Sequence, residues 1–289
     1  ASEGIPTYTE LILGLPGETY RTFCDGLDAV LDSGQHHGLF VYVCSVLPNS
    51  EMADPGYMKK HGIISVPMKA MLSHGTPSSD VPDEIQDTVI ATAAMPHEDW
   101  LHAYMLSWIV QVCHSLGLTT DWAKVERENG RKYSSFYRLL DSWAVSNHDT
   151  ILGRARSHVF GLLQGAIRGE SWDDVIPGFG DLSWPPDEGG FLRIVTELDL
   201  FYDELESGLG CPEWQREQGP PKVPRGMGEE YAKCVWYGRR GSMLDDLRKL
   251  CRPSTKPEWV PDLCDELLTL GEMRKLGMEL ESIENLENE

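Results

Sequence analysis

The stretch YTELILGLPGETYRTF, from Tyr8 to Phe23, constrains the chain most, because it joins a strand, a sharp turn and a helix start with nothing to spare. Leu11, Ile12, Leu13 and Leu15 form an apolar run of strand length, and Gly14, Pro16 and Gly17 break it. Glu18 and Thr19 then open a segment with Phe23, Leu27, Val30 and Leu31 at helical spacing, which stops at Gly34. A second strand-like run, LFVYVCSVL, follows from Leu39 to Leu47. Strand, helix and strand with short links make a βαβ unit, and parallel strands need neighbours on both sides. The few residues before Tyr8 cannot supply one, so the opening reads as the interior of a larger domain.

Downstream, PNSEMADPGYMKKHGI reads as a loop with a short helical piece, marked by Pro48, Pro55 and Gly56. The polar stretch SHGTPSSDVPDEIQ crosses to DTVIATAAM, where Val89, Ile90 and the flanking threonines favour another strand. From Pro96 the pattern turns helical. MPHEDWLHAYMLSWIVQVCHSLG carries Pro96 at its start, Glu98 and Asp99 in the first turn and Gly117 at its stop. Leu101, Tyr104, Met105, Trp108, Ile109, Val112 and Leu116 keep the 3.6-residue period, which predicts one broad buried face. The same period predicts helices in RKYSSFYRLLDSWAV, HDTILGRARSHVFGLLQGAIRG, FLRIVTELDLFYDELESGL and EEYAKCVWYGRRGSMLDDLRKL, and a last one running into the acidic tail GMELESIENLENE. PGFGDLSWPPDEGG reads as a Pro/Gly-rich loop that packs Trp184 against two prolines. The expected organisation is an α/β portion over residues 1–95 and a helical domain over residues 96–289.

Charge narrows the function classes. A net charge of −21 repels nucleic acid and anionic membrane, so neither is an expected partner. No apolar run is long enough to span a bilayer, and the N-terminus has no basic region followed by a small-residue cleavage site. Seven scattered cysteines, an odd number, suit a reducing compartment, so a cytoplasmic protein is expected. G-x-S-x-G, Walker and H-E-x-x-H motifs do not occur.

Read alone, GLPGET is a strand-to-helix turn: Pro16 fixes φ, Gly17 allows an unusual backbone angle, Thr19 caps and Glu18 favours the helix dipole. Taken with VYVCSVLPNSEMADPGYMKKHGI, however, ELILGLPGET resembles the late part of a radical S-adenosylmethionine (radical SAM) barrel, most closely in the cobalamin-binding branch. In that family the fifth strand ends in a Gly-Leu-Pro-Gly-Glu-Thr turn, here Gly14 to Thr19. The sixth ends near Leu-Pro-Asn, here Leu47 to Asn49, followed by Pro55 and Tyr57. The later EDW and FYDEL segments are similar to the C-terminal extension of the same branch. The resemblance implies an α/β fold: the C-terminal part of a (β/α) radical SAM partial barrel, then an α-helical C-terminal domain.

It also implies S-adenosylmethionine against Gly14, Leu15, Pro16, Gly17, Glu18 and Thr19, with Tyr42, Leu47, Pro48 and Asn49 lining the mouth of the sixth strand. The implied activity is cobalamin-dependent methyl transfer, or another radical reaction, on a small-molecule substrate. One departure bears on this. The family holds its [4Fe–4S] cluster with a C-x-x-x-C-x-x-C run, and here the nearest two cysteines are Cys251 and Cys264. The expectation is therefore a C-terminal fragment, inactive alone, whose missing N-terminal part brings the [4Fe–4S] cluster and cobalamin. The alternative is a non-catalytic binding or interaction module derived from such a barrel. No catalytic residue or metal ligand is assigned. Residues 1–95 by themselves should be poorly stable, with an unpaired strand edge and an exposed apolar face.

Other candidates read as ordinary structure. His36 and His37 are adjacent and point apart, as in a solvated turn. His97 and His102 are five apart, not the four that would align two ligands, and His97 reads as a first-turn surface residue. Arg239 and Arg240 suit salt bridges within so acidic a chain. The loop PGFGDLSWPP could equally line a pocket or pack on the surface.

Overall fold

In a computed structural model, the described residues are 8–212 apart from 37, 79 and 81. The βαβ opening forms as expected: β1 (Thr9–Leu13), α1 (Tyr20–Asp32) and β2 (Leu39–Val43), with the strands parallel from Thr9↔Leu39 to Leu13↔Val43. Thr19 starts α1 through a reciprocal capping box. Its hydroxyl accepts from the Thr22 N–H at 3.1 Å, and Thr22 Oγ1 accepts from the Thr19 N–H at 2.8 Å. Phe23, Cys24, Leu27 and Leu31 form the stripe that α1 buries.

The strand alternation sorts the two faces. Leu11, Leu13, Leu39, Val41 and Val43 pack toward the helices. Register sets Glu10 beside Phe40 and Ile12 beside Tyr42 on the other face, where Ile12 and Tyr42 are exposed. Phe40 meets Tyr8 edge-on at 6.3 Å and Tyr42 in a stack at 6.5 Å.

After β2, α2 (Pro55–His61) has Pro at its first turn, and Asp54 caps the Tyr57 N–H at 2.9 Å. The strand expected near Val89 is β4 (Ile85–Ala91). It pairs antiparallel with β3 (Ile64–Lys69), which the sequence pattern did not reveal. Pro67 sits inside β3, and β4 is its paired neighbour, so the position needs no further N–H donor. The Val46 N–H donates to Asp87 O at 2.7 Å and the Val89 N–H to Cys44 O at 2.8 Å, which ties β4 to the end of β2.

The helical part comprises α3 (His97–Ile109), a π-helical segment Val110–Ser115, α4 (Thr120–Glu128), α5 (Tyr133–Ser146), α6 (Ile151–Ile167), α7 (Pro186–Val195) and α8 (Leu198–Leu209). Two expectations are corrected. α3 is buried on nearly all sides, not on one face, because α1, α5, α7 and the strands surround it. The helix expected over FLRIVTELDLFYDELESGL breaks at Thr196 and Glu197 into α7 and α8. One buried apolar cluster runs from Leu13 and Leu27 through Trp100 and Phe136 to Phe201 and Leu205. The helix EEYAKCVWYGRRGSMLDDLRKL, Arg239, Arg240 and the acidic tail lie outside the described residues. No helix among the described residues is long and apolar enough to cross a membrane.

Candidate functional site

The parallel pairing of β1 and β2 makes both strands end together, so Gly14–Thr19 and Leu47–Asn49 leave the sheet at the same end. Gly14 and Gly17 have φ of +100° and +91°, angles that favour glycine. A Cβ on Gly14 would lie 3.4 Å from both Trp100 Nε1 and Val89 Cγ1, whereas one on Gly17 would meet nothing within 4 Å. The Glu18 N–H closes the turn onto Leu15 O at 3.2 Å. Leu15 and Gly17 are exposed, and Pro16, Glu18 and Thr19 are half-buried. Leu47, Pro48 and Asn49 are exposed, and the Ser50 N–H bonds Leu47 O at 3.0 Å. Tyr42 stands on the open sheet face.

Two polar atoms at this end are buried without a hydrogen-bond partner: Glu18 Oε2 and Trp100 Nε1. Buried polar groups are nearly always bonded, so an orphaned acceptor and an orphaned donor beside one glycine turn need explaining. Burial raises the Glu18 carboxyl above its ordinary pKa.

Trp100 links the turn to a second group of side chains that the sequence did not single out. Its ring stacks on Tyr104 at 5.8 Å, and Tyr104 lies 6.2 Å from Trp172. Burial, then the Asp187 carboxylate, pushes the Tyr104 phenol up. Partial burial, then Glu10 and Asp187, raises Tyr42. Asp187 and Glu188 occupy the first turn of α7, and burial raises the Asp187 carboxyl while the backbone N–H groups of that turn oppose it. Glu188 bonds His74, which lies between β3 and β4. Burial pushes Glu188 up to about 7 against the opposing pull of His74. Burial lowers His74 and the Glu188 carboxylate outweighs it, so its pKa is raised.

Backbone holds this contact in place. The His74 N–H donates to Ser183 O and the Ser183 N–H to Gly75 O, both at 2.9 Å. The His74 ring meets Trp184 edge-on at 5.3 Å. Trp108 Nε1 donates to Pro186 O at 2.9 Å, and Gly190 gives that indole room. Asp187 and Glu188 fell within the expected loop PGFGDLSWPPDEGG, whereas the structure starts α7 at Pro186, and local pattern carried no sign of the partner His74.

The histidines depart from expectation. His36 is half-buried rather than solvated, because its Nδ1 lies 2.9 Å from Nε2 of the buried His114, whose Nδ1 meets the Tyr137 hydroxyl at 2.7 Å. His37 lies outside the described residues. His97 is also not a plain surface residue: it stacks 6.2 Å from Trp100 with its Nδ1 at 3.1 Å from Ile90 O. His102 faces the Tyr20 ring instead, at 6.2 Å. Trp184 is buried, with Nε1 donating to Phe179 O at 3.2 Å, so its loop is packed. Among the described residues no three His, Cys, Asp or Glu side chains converge as a metal-ligand set.

A glycine turn at the shared end of two parallel strands, flanked by two orphaned polar atoms, is the candidate site of this α/β chain. No protein-family model matches the chain. It is 32% identical over 225 residues to the cobalamin-dependent radical SAM methyltransferase TokK of Streptomyces tokunonensis, covering 72% of this chain and 33% of TokK. It is 29% identical over 221 residues to the 2-(S-pantetheinyl)-carbapenam-3-carboxylate methyltransferase of Streptantibioticus cattleyicolor, covering 71% of this chain and 32% of that enzyme. The chain is related to the cobalamin-binding branch of the radical SAM superfamily, as its two motifs indicated. It spans about a third of the length of these curated relatives.

Proposed function

We propose that this chain is the S-adenosylmethionine-facing and substrate-facing part of a cobalamin-dependent radical SAM methyltransferase. In this reading β1 and β2 are late strands of a (β/α) partial barrel, residues 1–95 its C-terminal portion, and residues 96–289 the helical domain that covers it. The carrying observation is the orphaned Glu18 Oε2 at the Gly14–Thr19 turn, with the orphaned Trp100 N–H beside it. Glycines without side chains, an acceptor and a donor together fit a ligand that presents hydroxyl and heterocycle groups. Gly14, Leu15, Pro16, Gly17, Glu18 and Thr19 would hold the adenosyl group, and Tyr42, Leu47, Pro48 and Asn49 would line the mouth beside it.

When bound, S-adenosylmethionine supplies hydrogen abstraction with an iron–sulfur cluster, and cobalamin supplies methyl transfer. This chain's share is positioning and exclusion of water. Cys24, Cys44, Cys113 and Cys211 are all buried and far apart in sequence, which favours a [4Fe–4S] cluster and cobalamin held by parts of the protein outside this span. The relatives' names point to a small-molecule substrate, of which a pantetheinyl carbapenam is one example. The reading also places the protein in the cytoplasm, away from membrane and nucleic acid.

The test is reconstitution of the full-length protein with iron, sulfide and cobalamin, followed by cluster absorbance, deoxyadenosine release and methylated product. Glu18→Ala should weaken S-adenosylmethionine binding at least tenfold. A full-length protein with neither cluster nor deoxyadenosine release would leave the interaction-module reading in its place.

A further inference from the structure

We propose that His36 and His114 form a proton-conditioned latch, which fastens the βαβ unit to the helical part near neutral pH and lets go in acid. The inference does not depend on the function proposed above.

The π-helical segment supplies the geometry. A π turn is wider than an α turn and re-aims the side chains that it carries. Two residues of Val110–Ser115 reach the βαβ unit. Gln111 Oε1 accepts from the Val41 N–H of β2 at 3.0 Å. His114 meets His36, in the turn before β2, with Nε2 at 2.9 Å from Nδ1 and the ring centres 5.2 Å apart. Together they anchor the start of the strand that carries Tyr42 and runs on to Leu47–Asn49.

The protons in this line have one good order. Tyr137 places its hydroxyl 2.7 Å from His114 Nδ1 and 3.4 Å from Thr119 Oγ1, and Thr119 directs its own proton to Cys113 O at 3.2 Å. A hydroxyl has a single proton to give, and the nearer acceptor takes it. Tyr137 therefore donates to His114 Nδ1, His114 donates from Nε2, and His36 Nδ1 must stay bare to accept. A proton on His36 Nδ1 sets two N–H groups face to face and brings a positive charge against His114, which is completely buried.

Among the described residues, the charges around the latch do not welcome that proton. From α1, Asp32 acts on His36, but Arg127 of α4 already holds this carboxylate at 2.7 and 2.9 Å. Asp28 is bonded to Ser134, and Lys132 to Asp25. From α4, Asp121 acts on Tyr137 and is held by Lys124 at 3.1 Å, while Glu128 acts on Tyr133. Burial raises Tyr133 and Tyr137 of α5 and Cys113 of the π-helical segment, so all three are neutral. Histidine is the side chain that ordinarily gains its proton just below neutrality, which puts the release there.

Hydrogen exchange of the full-length protein, followed by mass spectrometry and corrected for the intrinsic pH dependence of exchange, tests the latch. Between about pH 7.5 and about pH 5, protection over Leu39–Val43 and Val110–Ser115 should fall about tenfold, while that over α6 stays level. His36→Gln replaces a half-buried turn residue with one that cannot take the proton, so its protection should be the same at both pH values. Tyr137→Phe frees His114 to reverse its proton order, leaving His36 an outward nitrogen for the first added proton, and should move the fall to lower pH. Wild-type protection that does not change with pH overturns the proposal. So does a fall of equal size in His36→Gln, or one shared by α6, which would be general loosening in acid. If His36→Gln does not fold, the wild-type comparison with α6 and the shift in Tyr137→Phe decide.

Discussion

The indole N–H of Trp100 lies 3.4 Å from where a Cβ on Gly14 would sit, and it has no hydrogen-bond partner. Gly14 therefore carries two constraints, a positive φ and a close neighbour. Gly17, with a similar φ and open surroundings, carries only the first. Gly17→Ala should cost about 1–2 kcal/mol of strain. Gly14→Ala adds crowding against Trp100 and Val89 and should cost about 1 kcal/mol more. Urea unfolding of the two variants checks the order.

Gly190 gives Trp108 its place, since a Cβ there would be 2.8 Å from Trp108 Cζ2. Trp108 is buried and bonded to Pro186 O, so it has little room to retreat. Gly190→Ala should destabilise by roughly 2–3 kcal/mol. It should also move the start of α7, which would appear as a changed His74 imidazole signal in NMR.

The His74–Glu188 contact makes stability depend on pH near neutrality. Burial raises Glu188 from 4.5 to about 7, and the Glu188 carboxylate, outweighing burial, raises His74 above 6.5. Both groups keep their protons to higher pH in the folded chain than in the unfolded one. The contribution of Glu188 is present below pH 4.5 and is lost by about pH 7. That of His74 is present below 6.5 and is lost above it. Stability should fall as pH rises from about 5 to 8, by on the order of 2 kcal/mol. Glu188→Gln should flatten the slope, as read from thermal melts at half-unit pH steps.

Asp28 fastens α1 to the start of α5. Its carboxylate accepts from the Ser134 N–H at 2.7 Å and the Ser134 hydroxyl at 2.8 Å, both buried. Asp28→Ala leaves both donors unpaired and should cost about 2–4 kcal/mol. Ser134→Ala removes only the hydroxyl and should cost about 1 kcal/mol. Chemical denaturation of each variant separates the two cases.

The βαβ opening and its glycine turn were legible because strand and helix periods and the turn residues are all local. Strand β3 was hidden by Pro67, which argues against a strand wherever an N–H is required. The π-helical turn at Val110–Ser115 was hidden because its residues are as apolar as those of the helix it continues. His74, Asp187 and Glu188 were missed for a different reason. Each is unremarkable beside its neighbours in sequence, and only the folded chain brings them together.

The His74–Glu188 contact joins residues 114 positions apart, and the rungs between His74, Gly75 and Ser183 close nearly as long a loop. Closing such a loop costs chain entropy that no local hydrogen bond offsets in advance. The βαβ unit and the individual helices can form early from neighbouring residues. The docking of the β3–β4 connection onto α7 must wait for the core beneath it. The His74–Glu188 contact should thus be among the last parts of the described fold to assemble and among the first to be lost when packing under α7 loosens.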